Sequence, residues 1–337
     1  MNRRDFLIAA AATTLFAGQS RAAAPGLEKT EIRLSVGGKP LFYYLPLTIA
    51  ERLGYFKDEG LTVEISDFGG GAKSLQALMG GSADVTTGSY EHCIQMQAKG
   101  QEIVSVIELG RFPGIALGIV KAKAASYKSP KDLKGMKIGV TAPGSSTNFM
   151  VNYLLTKNGL QPEDCSFIGI GSGPGAVAAA KRGEIDAVAH LDPVLTQLEI
   201  DGDIVIVEDT RTRQGSLNVY GGDCPAAVLY VPASFPAANP NTTRALVHAL
   251  LRALTWLRAA TPDQVADTVP PEWLGGGRDL YIAAFKHSRE AISTDGLISA
   301  DGPGNVLKVL AAFDPAVKGA KIDLSKTFTN TFVEGLR

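Results

Sequence analysis

A short loop of glycine and hydroxyl residues, Pro143-Gly-Ser-Ser-Thr147, follows an apolar segment predicted to be a strand at 137–141. A helix is predicted to begin directly after this loop. Free backbone N–H groups and the positive end of a helix attract anions at such a position, and a glycine lets a ligand approach the backbone closely. The loop is therefore predicted to be an anion-binding site, which we call the anion seat. The alternative is that Ser146 or Thr147 simply caps the helix. The seat consists of Gly144, Ser145, Ser146 and Thr147.

Further candidate binding residues lie just after other predicted strands. The loop after the first strand carries aromatic side chains that could enclose an organic ligand. Arg111 could pair with a carboxylate or sulfonate, and Asp192 could receive an amine or a ring N–H. Each candidate also has a purely structural alternative: the aromatic side chains could pack in the core, Ser89 or Asp192 could cap a helix, and Arg111 could lie exposed on the surface. These candidates are Lys39, Phe42, Tyr43, Tyr44, Gly70, Gly71, Ser89, Tyr90, Arg111, His190 and Asp192, with Tyr220 and Asp223 near a predicted crossover.

Strand-like and helix-like segments alternate along the chain. Predicted strands lie at 32–37, 61–65, 83–86, 103–108, 115–120, 137–141, 166–170, 185–190, 204–207 and 226–231. Predicted helices lie at 45–53, 73–79, 91–99, 148–158, 174–182 and 241–259. This alternation predicts an α/β fold with mostly parallel sheets, in which ligands bind beyond the carboxyl ends of the strands. Two such units without a Pro- or Ser-rich tether predict two lobes with a ligand cleft between them.

The N-terminus has the pattern of an export signal. Arg3 and Arg4, followed by Asp-Phe-Leu7, form a twin-arginine pattern, and an Ala-rich apolar run at 8–18 leads to the small-x-small site Ser20-Arg-Ala22. This run is too short to remain as a membrane span. We therefore predict a signal peptide at 1–22 and a soluble periplasmic protein, exported by the twin-arginine route or by the general secretory route.

The composition indicates a compact protein without a preference for nucleic acid or a membrane surface. Hydrophobic residues make up 45% of the chain, and 33 Lys and Arg stand against 34 Asp and Glu with no basic run. Cys93, Cys165 and Cys224 allow at most one disulfide, and their spacing fits no metal motif. We expect buried thiols, no metal, no cofactor and no nucleic-acid partner.

Four motifs follow one another in a fixed order. They are Leu53-Gly-Tyr-Phe-Lys-Asp-Glu-Gly-Leu-Thr-Val-Glu64, Gly69-Gly-Gly71 with Ala77-Leu-Met-Gly-Gly-Ser-Ala-Asp-Val85, Asp132-Leu-Lys-Gly-Met-Lys-Ile-Gly-Val140 with Gly144-Ser-Ser-Thr147, and Gly183-Glu-Ile-Asp-Ala187 with Asp192-Pro193. Together they resemble periplasmic substrate-binding proteins of ABC importers. The branch they resemble is the nitrate/sulfonate/taurine type, which is related to thiamine-precursor-binding proteins. The resemblance covers residues 32–260.

The resemblance implies a type II binding-protein fold with 31–120 and 223–337 in lobe 1 and 121–222 in lobe 2. Crossover strands near 116–122 and 219–230 would act as the hinge. Ligand binding would close the lobes, and the closed form would deliver the ligand to a permease powered by an ATPase. We expect a monomer that is not an enzyme.

The ligand class stays open at this stage. An anion seat opposite Arg111 suits nitrate, a sulfonate or a carboxylate, and the aromatic first loop favours an organic anion such as a sulfonate. A seat opposite Asp192 suits a zwitterion or an amine-bearing ring such as a pyrimidine precursor of thiamine.

Two other function classes are compatible with the sequence. One is an enzyme on the same fold, for which Ser145, His190 and Asp192 would be the candidate triad; no G-x-S-x-G nucleophile elbow is present. The other is a periplasmic sensor whose closed form binds a receptor instead of a permease.

Overall fold

The computed structural model describes residues 26–336, so the predicted signal peptide at 1–22 lies outside the described residues. Within that range, ten strands form two five-stranded sheets. The strands are β1 (Glu31–Val36), β2 (Thr62–Asp67), β3 (Val85–Ser89), β4 (Ile103–Glu108), β5 (Ala116–Val120), β6 (Lys137–Val140), β7 (Ser166–Gly169), β8 (Ala187–His190), β9 (Ile204–Asp209) and β10 (Ala227–Pro232).

The two sheets have the same construction. The first has the strand order β2-β1-β3-β10-β4, and the second has the order β7-β6-β8-β5-β9. In the first sheet β1 runs parallel to β2 and β3, while β10 is antiparallel to both β3 and β4. In the second sheet β6 runs parallel to β7 and β8, while β5 is antiparallel to β8 and β9. The predicted α/β fold with mostly parallel sheets is confirmed, with one reversed strand inserted into each sheet.

Helices cover the sheets and join their strands. They are α1 (Leu45–Arg52), α2 (Tyr55–Asp58), α3 (Gly71–Met79), α4 (Glu91–Ala98), α5 (Lys121–Ala124), α6 (Ser146–Lys157), α7 (Pro174–Lys181), α8 (Val194–Ile200), α9 (Arg213–Tyr220), α10 (Phe235–Ala238), α11 (Pro240–Ala259), α12 (Pro262–Thr268), α13 (Arg278–Ser288), α14 (Gly302–Phe313), α15 (Pro315–Gly319) and α16 (Thr331–Glu334). Short 3₁₀ segments occupy Phe42–Tyr44, Pro130–Leu133, Pro162–Asp164, Pro271–Leu274, Arg289–Ala291 and Leu324–Lys326. Across residues 26–336, no helix has the length and apolarity that a membrane crossing needs.

Local sequence explains the central elements. All five residues of β3 are buried, as expected for a strand flanked on both sides within a covered sheet. Helix α11 begins with Pro240, whose fixed φ suits a first helical position. Its residues Leu246, Leu250, Leu254 and Leu257 are buried and follow the spacing of one helical face.

The chain passes between the sheets at two places. It leaves the first sheet after β4 and enters the second with β5, and it returns from β9 to β10. The predicted lobe 1 range of 31–120 therefore includes β5, which pairs only within the second sheet. The predicted second hinge strand at 219–230 also differs from the structure, because α9 extends to Tyr220 and the strand begins at Ala227. The partition into two mobile lobes stays a prediction.

Candidate functional site

The loops at the carboxyl ends of both sets of strands meet between the two sheets. From the first sheet come the segments that follow β1, β2 and β3, and from the second come those that follow β6 and β8. The carboxyl edge of each sheet faces the other, as the alternation of strands and helices predicts. We call this meeting region the inter-sheet site.

One line of contact joins the segment after β2 to the loop after β6. The Ala72 backbone N–H donates to Ser145 Oγ at 3.0 Å. His92 Nε2 lies 3.2 Å from the Gly144 carbonyl oxygen, to which the neutral ring donates. Burial lowers the pKa of His92 to about 4, so the ring is uncharged at neutral pH.

Glycines permit the close approach along this line. A Cβ added to Gly71 would lie 3.6 Å from each of the Tyr44 hydroxyl, the His92 ring and Ser145 Oγ. At Gly70 the added Cβ would lie only 2.7 Å from the Ala142 Cβ, on the opposite side of the site. The backbone at Gly70 is extended, so the missing side chain serves the approach of the two loops and not a special dihedral angle.

A second line of contact is centred on Asp192. The Phe42 backbone N–H donates to the Asp192 carbonyl oxygen at 3.0 Å. Ser288 Oγ donates to Asp192 Oδ2 at 2.7 Å, and Thr196 donates to Oδ1 from both its N–H and its hydroxyl. Arg211 Nη1 lies 3.6 Å from Oδ2. Asp192 thus holds the start of α8 and also joins the second sheet to α13.

A group of polar atoms without hydrogen-bond partners lies between these two lines. It comprises the Tyr43 hydroxyl, Ser89 Oγ and Glu91 Oε2. Ser89 and Ser146 lie beside the Tyr43 phenol oxygen, but neither completes a hydrogen bond with it. Buried polar atoms are normally paired, so this group is chemically unsatisfied. We call it the unpaired cluster.

The electrostatics of the unpaired cluster follow from burial. Desolvation raises the pKa of Glu91 to about 7 and raises the pKa of Tyr43 well above its usual value. The Glu91 carboxylate acts on the pKa of Tyr43 and Tyr44 in the loop after β1, and on that of Tyr220 and Cys224 near the return crossover. Glu91 therefore lies close enough to these four groups to affect their protonation.

The three hydroxyls of the predicted anion seat have different surroundings. Ser145 Oγ accepts the Ala72 N–H, and Thr147 Oγ1 accepts the Thr141 N–H at 3.1 Å. Ser146, at the first position of α6, lies beside Tyr43 instead. Helix α6 starts two residues earlier than predicted, because Ser145 adopts the extended conformation of a residue preceding a helix.

Other candidates predicted from sequence lie outside the unpaired cluster. Lys39 Nζ is 2.6 Å from the Glu51 carboxylate, and Arg111 Nε donates to the Glu290 carbonyl oxygen. Tyr90 differs from the prediction: its ring packs against Phe328, which lies beside β4 of the first sheet. The reason is the helical backbone conformation at Tyr90, which directs its side chain into the core.

The remaining candidates take part in packing and polar contacts. Phe42 packs edge-on against Tyr281 with ring centroids 4.9 Å apart. His190 is fully buried, with Nε2 at 2.9 Å from the Gly171 carbonyl oxygen. Tyr220 stacks on Tyr153, and Asp223 pairs with Arg213 on the surface. In the described part of the chain, no hydrogen bond joins Ser145, His190 and Asp192 as a triad would require.

Sequence reasoning missed four residues of the site. Glu91 and His92 directly follow the predicted candidates Ser89 and Tyr90 at the end of β3. Ser288 and Arg211 lie far from the other site residues in sequence and carried no local signal. Among residues 26–336, no group of three or more His, Cys, Asp or Glu is placed to hold a metal ion.

The comparisons with known proteins agree with this architecture. The family model described as NMT1/THI5 like matches residues 42–265, which include the segments that follow β1, β2, β3, β6 and β8. The chain belongs to the NMT1/THI5-like family. A solved structure of a protein from Bordetella bronchiseptica RB50 is 51% identical, with a TM-score of 0.90, and the match covers 92% of this chain and 98% of that one.

More distant relatives of this NMT1/THI5-like chain have different roles. The alkanesulfonate-binding protein SsuA from Xanthomonas axonopodis pv. citri, bound to MOPS, has a TM-score of 0.70 at 18% identity, covering 90% of this chain and all of that one. Such likeness shows the periplasmic binding-protein fold. The 4-amino-5-hydroxymethyl-2-methylpyrimidine phosphate synthase of Schizosaccharomyces pombe is 26% identical over 234 residues, which is 67% of this chain and 63% of the yeast protein.

Proposed function

We propose that this protein is an extracytoplasmic solute-binding protein that captures a small organic molecule in the inter-sheet site and delivers it to an ABC permease. The observation that carries the proposal is the unpaired cluster. Loops from both sheets enclose buried polar atoms of Tyr43, Ser89 and Glu91 that have no hydrogen-bond partner in the protein. Leaving such atoms unpaired costs stability, and a bound ligand would remove that cost.

The arrangement of contacts supports capture by closure. The two halves touch along two lines, one through Ser145 and His92 and the other through Asp192, with the unpaired cluster between them. A ligand that bridges the two halves binds the closed arrangement better than an open one, and this difference shifts the population toward closure. Each sheet with its covering helices would then be one of the two predicted lobes. The two chain segments that pass between the sheets would be the hinge.

Two ligand classes are consistent with the proposal. The structural neighbour SsuA supports an organic anion such as a sulfonate, with Ser146 and the start of α6 as its seat. The synthase relatives support a pyrimidine, whose ring nitrogens and amino group would use Glu91 and Tyr43. Nitrate is the smaller anion alternative. Lys39 and Arg111 would have to leave Glu51 and Glu290 to contact an anion in this site.

A ligand screen on the purified exported protein tests the proposal. The midpoint of thermal unfolding is measured with sulfonates, nitrate, carboxylates, amino acids, pyrimidines and amidines, because a ligand of the native state raises it. Hits are then measured by titration calorimetry. A hit with micromolar affinity supports the proposal; the absence of any stabilising compound across these classes would overturn it.

Two further measurements separate binding from the alternatives. The bound compound is recovered after long incubation and identified by mass spectrometry; an unchanged compound supports capture, and a converted one indicates an enzyme. The liganded protein is then added to the permease and ATPase reconstituted in proteoliposomes. Ligand-dependent stimulation of ATP hydrolysis supports delivery, whereas its absence favours a sensor that binds a receptor.

A further inference from the structure

Glu91 is the acidic member of the unpaired cluster. Its residue is only 6% exposed, and its Oε2 has no hydrogen-bond partner. It forms none of the ion pairs found among residues 26–336. Its own backbone N–H, in the first turn of α4, contacts the carboxyl group, but burying an unpaired carboxylate oxygen is costly, and an apolar residue or Gln at this position would avoid burying a charge. This placement therefore requires an explanation.

The groups whose pKa the nearby Glu91 carboxylate affects provide no positive charge. From the loop after β1 they are Tyr43 and Tyr44, from α4 itself Cys93, and from the return crossover Tyr220 and Cys224. Burial raises the pKa of each of these groups, so all are neutral at pH 7. The neighbouring His92 ring is neutral as well, because burial lowers its pKa to about 4.

We propose that Glu91 is the specificity-determining residue of the inter-sheet site, and that it selects a small organic base by accepting hydrogen bonds from a protonated nitrogen or a pair of N–H groups. This inference rests on the proposed function and narrows its ligand class. A carboxylate accepts N–H donors in charge-assisted hydrogen bonds, which are stronger than neutral ones. Tyr43 and Ser89, which are also unpaired, would supply the hydroxyl contacts around the same ligand.

The same geometry disfavours an anionic ligand. A sulfonate or nitrate placed beside Glu91 would repel its carboxylate, or would require the carboxyl group to stay protonated. The cations that could compensate are held by other carboxylates, Lys39 by Glu51 at 2.6 Å, Arg111 by Glu290 at 3.7 Å and Arg211 by Asp209 at 2.7 Å. Specificity is the difference between the affinities for two ligands. Glu91 increases the affinity for a base and decreases the affinity for an anion.

The test compares the wild-type protein with Glu91→Gln. Affinities for benzamidine, 4-aminopyrimidine, an alkanesulfonate and nitrate are measured by calorimetry at pH 7.5. Glu108→Gln is the matched control, because Glu108 is a similarly buried carboxyl group outside the unpaired cluster. We expect Glu91→Gln to weaken benzamidine binding at least tenfold, to leave sulfonate and nitrate binding unchanged or stronger, and to keep or raise the thermal midpoint of the free protein. Glu108→Gln should leave all four affinities unchanged.

A pH series gives a second readout that a purely structural role would not move. Benzamidine keeps its charge between pH 5 and 8, so a change in its affinity reports on the protein. In the wild type its affinity should rise as the pH passes through about 7, where Glu91 ionises, and in Glu91→Gln the affinity should stay flat over this range.

The outcomes are distinguishable. If no compound in the wider screen binds to the wild type, the proposed function fails. If compounds bind but Glu91→Gln changes neither the order of preference nor the pH profile, only the inference about Glu91 is overturned. Tight binding of a sulfonate with no binding of either base also overturns it.

Discussion

Ser288 Oγ and Asp192 Oδ2 lie 2.7 Å apart, and both residues are buried. The bond joins the last residue of α13 to the segment after β8, which belongs to the second sheet. It connects residues 96 positions apart in the chain. This contact, with the Phe42 N–H on the Asp192 carbonyl oxygen, fastens one side of the inter-sheet site.

Replacing Ser288 by Ala should favour an open arrangement. A hydrogen bond to a charged group contributes about 1.5–3 kcal/mol, and this one exists only while the two halves touch. We expect about a tenfold loss of ligand affinity and a larger radius of gyration of the ligand-free protein in small-angle X-ray scattering. Ser126→Ala, which removes one hydroxyl hydrogen bond on the surface, should change neither. Unaltered scattering and affinity in Ser288→Ala would mean that the bond does not contribute to closure.

Gly70→Ala should block close contact on the other side of the site. The new methyl group would lie 2.7 Å from the Ala142 Cβ and 3.3 Å from the Thr141 carbonyl oxygen, and such overpacking costs about 1–3 kcal/mol. Ligand affinity measured by calorimetry should fall about tenfold or more. Gly304→Ala is the control, because its Cβ meets no atom within 4 Å and lies in helix α14. Equal affinity in both variants would contradict the prediction.

The seat hydroxyls should separate into one binding and one structural residue. Ser146→Ala should weaken ligand binding roughly fivefold, and the free energy of unfolding should change by less than about 0.5 kcal/mol. Thr147→Ala should lower the free energy of unfolding by about 1–2 kcal/mol, because the buried Thr141 N–H loses its acceptor. Chemical denaturation and calorimetry measure the two effects. The reverse pattern would place the ligand against Thr147 and contradict this assignment.

Glu108→Gln should flatten the pH dependence of stability. Burial raises the pKa of Glu108 to about 8, despite the hydrogen bond from Ser293. The unfolded chain ionises near the ordinary value while the folded chain keeps the proton, so the wild type loses stability as pH rises from about 5 to 8. The loss from this group is on the order of 2–3 kcal/mol.

Denaturation curves at pH 5 and pH 8 measure this difference. The Gln variant should lose less stability over the interval, and exposed Glu334→Gln should behave like the wild type. An identical pH dependence in Glu108→Gln and the wild type would show that Glu108 ionises normally in the folded protein.

The sequence predicts the architecture well because regular elements leave periodic traces. Alternating strands and helices indicated two α/β units, and the loops predicted to bind the ligand are those that the structure brings together after β1, β2, β3, β6 and β8. Which side chain of a loop faces the site was harder to predict. At the end of β3 the prediction stopped at Tyr90, whose helical backbone turns its ring into the core, while the next residue, Glu91, belongs to the unpaired cluster.

The site contacts that the sequence did not predict are made between segments that lie far apart in the chain. Ser288 meets Asp192 only because α13 packs against α8, and nothing local to Ser288 indicates this. Arg111 followed a strand in the expected place, but its partner Glu290 lies in a 3₁₀ segment near the end of α13. Charge pairing across such separations depends on the folded arrangement, which no short pattern contains.

The position of β10 between β3 and β4 has a consequence for how the chain folds. Until β10 is available, β3 and β4 have no strand between them, and all of the second sheet precedes β10 in the chain. A growing polypeptide therefore holds open β-edges that are prone to intermolecular pairing. Such late, nonlocal closure slows folding compared with helical proteins of similar stability. The first sheet is completed only after the whole of the second has been made, so a fragment that ends before β10 cannot contain the complete first sheet.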